Sequence, residues 1–343
     1  MISKHSHRKD EHMSLAEKFY QDQSAFADFR FIHQSLPETS LADIDLSTRI
    51  GPLSLNVPFY IEAISGGSLR TQEINRQLAT VAKATGLAMA VGSQSVALSD
   101  PTLRATFEVV RKVNPTGIVF ANIGANRNYQ DAQAAVEMID ANALELHINV
   151  AQELIMPEGD REFSFITNIE QMVHHLSVPV IVKEVGFGMS RETIAQLIDL
   201  GVHYINVSGH GGTNFATIEN FRRPQKNMAY LKNWGLTTGE SLLESRQFQD
   251  RLTILASGGV KSPLDVAKCL ALGSTAVGIA GQFLHEVIHE GPQTLIDKVF
   301  DWIYGLKAIM LMVHASTISE LQSQKLILSP EIISYLNQRG LTY

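Results

Sequence analysis

The sequence predicts an α/β protein of the (β/α)₈ TIM-barrel class. Eight short apolar, β-branched segments recur along the 343 residues, and each ends in glycine or small polar residues. A stretch with helical periodicity follows each segment. Because parallel neighbours need a crossover of a dozen or more residues, this alternation indicates a parallel sheet, and eight units close a barrel. The segments begin at Pro58, Leu87, Gly117, Ala143, Pro179, Tyr204, Leu252 and Thr275.

The punctuation between the segments is typical of helices, with a start at Ser190, a stop at Gly201 and another start at Pro263. A doubly wound open sheet is the alternative, but the first strand lacks the GxGxxG turn of a dinucleotide-binding unit. We expect one domain over residues 1–343, with an N-terminal extension (1–55), a barrel (56–343) and an insertion after the sixth strand (214–250). The extension and the insertion are candidate lids or subunit contacts.

The composition favours a globular enzyme over a nucleic-acid-binding or membrane protein. Hydrophobic residues make up 45% of the chain and charged residues 18%, and the net charge is −7. An acidic molecule does not favour a nucleic-acid groove, so any phosphate binding must be local. The single cysteine, Cys269, fits a reducing compartment, and no apolar run is long enough for a membrane span. These features predict a cytoplasmic protein without nucleic-acid or membrane partners.

Polar residues collect at the C-terminal ends of the predicted strands, which form the active-site rim of TIM-barrel enzymes. The last two strands end in Ser257–Gly259 and Gly278–Gly281, where backbone N–H groups and a helix N-terminus commonly bind phosphate. The glycines after Ser208 and the hydroxyl of Thr213 could add donors. The other rim residues are Ser65, Ser93, Gln94, Asn122, His147, Asn149, Gln152, Glu153, Lys183, Glu184 and His210.

Lys183 lies in an otherwise apolar strand, where an unpaired ammonium would be costly to bury. It therefore needs an anionic partner. Glu184 is the simplest candidate, but successive strand residues point to opposite faces of the sheet. A flavin whose N1–C2=O edge becomes anionic on reduction would suit the lysine.

Two further motifs suggest a diphosphate and a hard metal ion. HINVAQE brings His147, Asn149, Gln152 and Glu153 to one strand end, where Glu153 could bind Mg²⁺ together with substrate phosphate and water. RKDEH places Arg8, Lys9 and His12 close together, so that they could converge on a diphosphate in their own subunit or across an interface. The alternative for RKDEH is a solvated charged tail.

These residues, in this order, closely resemble the type 2, FMN-dependent isopentenyl-diphosphate isomerases over essentially the whole chain. The most specific motif is HINVAQE joined to MPEGDR, which flavin barrels in general do not share. Other matching segments are RKDEH, YIEAISGGS, LAMAVGSQ, NIGAN, VPVIVKEVGFGMS, VSGHGGTNF and ASGGVKSPLDVAKCLALG. That family often has threonine at the position of Ser65 and arginine at the position of Ser95.

The resemblance implies FMN, Mg²⁺, NADPH to reduce the flavin, and a homotetramer or homo-octamer. It implies catalytic roles for Gln152, Lys183 and His147, and a metal ligand in Glu153. The implied substrate contacts are Arg8, Lys9, His12, Ser93, Gln94, Asn149 and Gln152. The implied FMN contacts are Ala63, Ile64, Ser65, Ser93, Asn122, Lys183, Ser208, Thr213, Gly258, Gly259, Val260, Lys261, Ala280 and Gly281.

The strongest alternative is an FMN-dependent 2-hydroxy-acid oxidase or dehydrogenase, whose histidine base lies in a setting similar to that of His210. Such enzymes need an arginine just after the glycines, and Thr213 occupies that position. A barrel of the inosine-monophosphate dehydrogenase type needs a nucleophilic cysteine in a loop, whereas Cys269 lies in a predicted helix. A phosphate-binding scaffold without activity would have no need of the polar rim.

Overall fold

A computed structural model describes residues 4–64 and 66–343, and in it eight parallel strands close into a barrel. Closure is completed by the first and last strands, which pair with Ile61 opposite Ile279. The predicted (β/α)₈ barrel is confirmed, and all eight predicted segments contain a strand. The barrel strands are Phe59–Ile61 (β1), Met89–Ala90 (β2), Val119–Gly124 (β3), Ala143–His147 (β4), Val180–Lys183 (β5), Tyr204–Asn206 (β6), Thr253–Ser257 (β7) and Ala276–Ile279 (β8).

Helices surround the barrel, and their ends follow the expected chemistry. Ser190 caps the helix Arg191–Asp199 by accepting the Thr193 N–H, and Gly201 follows that helix with a left-handed φ of +82°. The α-helices are Lys4–Lys18 (α1), Leu69–Thr85 (α2), Ser95–Ser99 (α3), Ala105–Val113 (α4), Tyr129–Met138 (α5), Val150–Ile155 (α6), Phe165–His175 (α7), Arg191–Asp199 (α8), Phe215–Arg222 (α9), Thr238–Ser245 (α10), Pro263–Ala271 (α11), Gly281–His289 (α12), Gly291–Met312 (α13), Ile318–Gln322 (α14) and Pro330–Arg339 (α15). Short 3₁₀ helices span Leu41–Asp43, Pro101–Leu103, Ala229–Leu231 and Arg246–Phe248.

The N-terminal extension covers both ends of the barrel. Helix α1 crosses the mouth at the C-terminal ends of the strands. At the opposite end, the hairpin of Thr48–Ile50 and Leu53–Leu55 places Ile50 and Leu55 in the apolar cluster that fills the lumen. A further short strand, Phe29–Arg30, pairs with Ile327–Leu328 and ties the extension to the C-terminal region.

The insertion is shorter than the predicted 214–250. Its first part contains α9 and the 3₁₀ helix Ala229–Leu231. Helix α10, however, packs against α8 and β7 in the manner of the other barrel helices. Within the predicted insertion, only residues 214–237 are therefore additional to the repeat.

Two layers of side chains fill the lumen, because alternate residues of each strand face inward. The lower layer is mainly apolar and includes Phe120, Ile181 and Leu255. The layer above it, two residues further along each strand, is polar and buried: Glu62, Asn122, Glu145, Lys183, Asn206 and Ser257.

Among the helices of the described residues, none has both the length and the apolar composition that a bilayer span requires.

Candidate active site

A cavity of about 430 Å³ opens at the C-terminal ends of the strands, directly above the polar layer. This volume is within the range of small-molecule and cofactor sites. Most of the residues singled out in the sequence line it. They are Arg8, Lys9, His12, Ala63, Ile64, Ser93, Asn122, His147, Asn149, Gln152, Glu153, Lys183, Ser208, Thr213, Gly258, Gly259, Val260, Lys261, Ala280 and Gly281.

Among the rim residues that the structure describes, Gln94, Glu184 and His210 do not line the cavity. Ser65 lies outside the described residues. Gln94 faces the helical layer, where its amide donates to the Ala135 carbonyl at 2.9 Å and accepts the Asn122 N–H at 3.0 Å. Its predicted substrate contact is therefore corrected to a structural role. His210 also points away from the cavity, with its Nε2 3.2 Å from the Lys232 carbonyl oxygen.

One end of the cavity has the features of a phosphate site. Gly258 and Gly259 have φ values of +99° and +79°, and a Cβ on Gly258 would collide with the Gly209 carbonyl. Helix α12 begins at Gly281 without a side-chain cap, so its first N–H groups remain available to an anion. Among the described residues outside its own helix, a Cβ added to Gly281 would approach only the Thr213 Oγ1, at 3.5 Å. A phosphate can therefore approach the backbone closely here.

The anionic partner of Lys183 is Glu62, which sequence reasoning missed. Lys183 Nζ lies 3.5 Å from Glu62 Oε1 and 3.3 Å from the Glu184 carbonyl oxygen, to which it donates. The Glu184 carboxylate instead accepts the N–H groups of Val185 and Phe187. The lysine and Glu62 are both buried, so this is an ion pair shielded from water.

A second buried carboxyl group, Glu145, completes the polar layer. It hydrogen-bonds Glu62 and accepts from Asn122 Nδ2 at 3.0 Å. Burial and the neighbouring Glu62 charge raise the pKa of Glu145 well above its usual range. Burial alone would raise the pKa of Glu62 as well, but Lys183 and the surrounding donors hold it below the usual range. The two carboxyl groups therefore share one proton, with the negative charge beside Lys183.

This arrangement also fixes the state of His147. Because Asn122 Nδ2 donates to Glu145, Asn122 Oδ1 faces His147 Nδ1 at 2.9 Å, and Nδ1 carries the proton. Burial and the charges of Lys9 and Lys183 lower the pKa of His147 to about 3. The imidazole is neutral, and its Nε2 can accept a hydrogen bond but cannot donate one.

Gln152 is held by Glu219, a second residue that sequence reasoning missed. The Gln152 amide donates to Glu219 Oε1 at 3.2 Å, and His12 Nε2 lies 2.9 Å from the same oxygen. Arg222 donates to Glu219 Oε2 at 2.7 Å. Burial raises the pKa of Glu219, but His12 and Arg222 outweigh that effect and hold it below its usual range. Glu219 is fully buried in α9, and no sequence signal distinguished it from an ordinary surface glutamate of a helix.

Helix α1 brings two cations to the cavity. The Nε of Arg8 is buried and has no hydrogen-bond partner in the part of the chain described, which indicates space for an anionic ligand. Lys9 donates to the Ser93 carbonyl at 3.2 Å. Burial and the nearby Arg8 charge lower the pKa of Lys9 to about 7.

Glu153 contributes a carboxylate on the same wall. Its Oε1 accepts from Asn149 Nδ2 at 2.7 Å and its Oε2 accepts the Asp160 N–H at 2.8 Å. Each oxygen keeps a second lone pair, and oxygen donors of this kind suit Mg²⁺. Ser95, where the resemblance leads one to expect arginine, lies beside Ser93 and lines the cavity as well.

Comparisons with known proteins identify relatives of this chain. A family model for FMN-dependent dehydrogenases matches residues 100–328. The isopentenyl-diphosphate delta-isomerase of Latilactobacillus sakei subsp. sakei (strain 23K) is 55% identical, over 98% of this chain and 97% of that protein. The same enzyme of Limosilactobacillus reuteri subsp. reuteri (strain JCM 1112) is 49% identical, over 99% of each.

Solved structures share the fold at lower identity. A mandelate oxidase with (S)-2-phenylpropionate matches with a TM-score of 0.65 at 16% identity, over 93% of this chain and 90% of the other. A flavocytochrome b2 with pyruvate bound matches with a TM-score of 0.66 at 19% identity, over 92% and 82%. At these identities the likeness concerns the barrel alone.

Proposed function

Because the chain belongs to the isopentenyl-diphosphate delta-isomerase family, within the FMN-dependent dehydrogenase fold, we propose that it interconverts isopentenyl diphosphate and dimethylallyl diphosphate. The reaction serves isoprenoid precursor synthesis. The observation that carries the proposal is a single cavity with an uncapped helix N-terminus at one end and the cations of α1 at another. One end suits a cofactor phosphate and the other suits a substrate diphosphate.

The residues of the cavity fit FMN. Gly258, Gly259 and the start of α12 would bind its phosphate, with Thr213 adding a hydroxyl. Ala63, Ile64, Ser93, Asn122 and Ser208 would contact the remainder of the cofactor. Lys183 would favour the negative charge that the cofactor's ring system carries when reduced. When bound and reduced, FMN would supply an electron-rich face and a nitrogen able to exchange a proton.

The substrate diphosphate would bind between α1 and β4. Arg8, with its unpaired Nε, and Lys9 would provide positive charge, and His12 and Asn149 would add donors. Glu153 would hold Mg²⁺, with phosphate oxygens and water completing the coordination. Binding energy from this charged end would position the small alkene, which offers little to recognise by itself.

The isomerisation adds a proton to the terminal methylene and removes one from C2, through a tertiary cation at C3. Gln152 would orient the alkene, because its amide is fixed by Glu219. A carboxamide is too weak a base to act alone, so Gln152, held by Glu219, would position the alkene and not take its proton. Neutral His147 can accept but not donate at Nε2, and it would hold polar groups at the cavity floor.

Three further features remain part of the proposal. NADPH would serve to reduce the flavin, since the isomerisation consumes no electrons. The enzyme would act in the cytoplasm, where the single thiol of Cys269 stays reduced. It would assemble as a homotetramer or homo-octamer.

The test is incubation of isopentenyl diphosphate with the protein, FMN, Mg²⁺ and NADPH, with the product identified by NMR. We expect dimethylallyl diphosphate under reducing conditions and none with oxidised FMN. Equal turnover by flavin-free protein would refute the scheme. Reduction of bound flavin by lactate would instead favour a hydroxy-acid oxidase, although the outward orientation of His210 argues against that activity.

A further inference from the structure

A compact group of metal-ligating side chains lies at the junction of α1 and α12. It consists of Glu17 near the end of α1 and of His285 and His289 on α12. Glu17 Oε2 lies 3.0 Å from His285 Nδ1 and 2.9 Å from His289 Nε2. The three ligand atoms all lie within 4.8 Å of one another.

The two distances to Glu17 are those of hydrogen bonds, and they also match ligand atoms that share one transition-metal ion. An ion at about 2.1 Å from each donor needs donors roughly 3.0 Å apart in an octahedral site and roughly 3.4 Å apart in a tetrahedral one. The two histidines are four residues apart on one helix, so both rings project from the same face. Two imidazoles and one carboxylate are a donor set of Zn²⁺ sites, whereas Mg²⁺ prefers oxygen donors alone.

The surroundings hold the ligands in position and leave room for water. The ring of Tyr20 stacks on His285 with a centroid distance of 4.1 Å and nearly parallel planes. The side chain of His289 is 53% exposed, whereas Glu17 is 16% exposed. An ion bound here would therefore have a free position on the solvent side.

We propose that Glu17, His285 and His289 bind one Zn²⁺-like dication that clamps α1 onto α12. Helix α1 carries Arg8 and Lys9 toward its start, and α12 begins at the phosphate end of the cavity. The ion thus joins the helix that would contact the substrate to the helix that would contact FMN. This consequence rests on the proposed function, but metal binding itself does not.

Zinc binding to the full-length protein can be measured by calorimetry with Mg²⁺ in large excess, so that oxygen-donor sites are already filled. We expect one Zn²⁺ per chain, with affinity weakened about tenfold to a hundredfold or more by Glu17→Gln or His289→Ala. His33→Ala, at an exposed position away from the site, is the matched control and should bind as the parent does. No binding, or binding unchanged in both Glu17→Gln and His289→Ala, would overturn the proposal.

Hydrogen exchange supplies a second readout that does not require activity. Zn²⁺ should slow amide exchange in α1 of the parent protein and of His33→Ala, but not of Glu17→Gln, which keeps the shape of the side chain. Exchange in α1 that ignores Zn²⁺ would refute the clamp. Isomerase activity measured with Mg²⁺ alone tests the proposed function separately, so the two failures are distinguishable.

Discussion

Replacing the buried carboxyl groups of Glu62 and Glu145 by amides should reveal that they act as a pair. In Glu145→Gln the charged Glu62 remains beside Lys183, and in Glu62→Gln the remaining Glu145 loses its like-charged neighbour and ionises in its place. Each single variant therefore keeps one negative charge near the lysine. The double variant leaves the ammonium buried without a counterion.

The magnitude follows from the ion-pair distance. At 3.5 Å and an effective dielectric constant of about 20, the interaction of Lys183 with Glu62 amounts to about 5 kcal/mol. Loss of one partner from a buried pair ordinarily costs about 3–5 kcal/mol. We expect each single variant to lose about 1 kcal/mol of unfolding free energy, and the double variant to lose about 3–5 kcal/mol.

Equilibrium urea denaturation of the flavin-free protein at pH 7 measures these losses. Glu73→Gln, which breaks an exposed pair with Arg76, is the control and should change stability by less than about 1 kcal/mol. Adding Lys183→Met to the double variant should restore most of the loss, because the uncompensated charge is then removed. Additivity of the two single variants within about 0.5 kcal/mol would refute the shared-proton interpretation.

Lys9, Glu184 and Glu219 each have a protonation state or a contact whose loss can be measured. Since the pKa of Lys9 is about 7 in the free protein, diphosphate binding above pH 7 should take up a proton. The affinity for diphosphate should therefore weaken by up to about tenfold per pH unit above pH 7. Calorimetry in two buffers should detect the proton uptake, and Lys9→Met should abolish it. Burial raises the pKa of Glu184 from 4.5 to about 7, so this carboxyl group ionises at lower pH in the unfolded chain than in the folded one. The contribution of Glu184 to the unfolding free energy should therefore fall by about 3 kcal/mol as the pH rises from 4.5 to 7. Urea denaturation of Glu184→Gln that shows the same pH dependence as the parent would contradict this. Glu219→Gln should lower kcat by about a hundredfold in the isomerase assay with unchanged FMN affinity, because Gln152 loses the carboxylate that fixes its amide. Glu158→Gln, which removes a more exposed partner of Arg222, should have little effect on kcat. Equal losses in the two variants would exclude a specific role for Glu219.

The barrel was predictable because its signals are local. Each strand is a short apolar run, and residues such as Ser190 and Gly201 mark the helix ends by their own backbone and side-chain chemistry. The insertion boundary was less predictable. Helix α10 belongs to the repeat only because it packs on α8 and β7, and that contact depends on the tertiary structure.

The cavity lining was predictable because the C-terminal ends of parallel strands meet at one rim. Strand alternation correctly separated Lys183 from the Glu184 carboxylate. The same separation of adjacent side chains occurs between Ser93, which lines the cavity, and Gln94, which faces α5. The predicted roles in binding and catalysis remain predictions, because they concern bound molecules.

The partners of Lys183 and Gln152 could not be found in the sequence, since Glu62 and Glu219 meet them only across the folded barrel. A lysine without a counterion would favour any anion. The charge of Lys183 is already neutralised by the Glu62 carboxylate, which also hydrogen-bonds the protonated Glu145. A negative charge placed above Lys183 must therefore compete with Glu62. Affinity for an anionic cofactor would then come mainly from the uncapped start of α12. Lys183 would discriminate between the neutral and the anionic state of that cofactor's ring system.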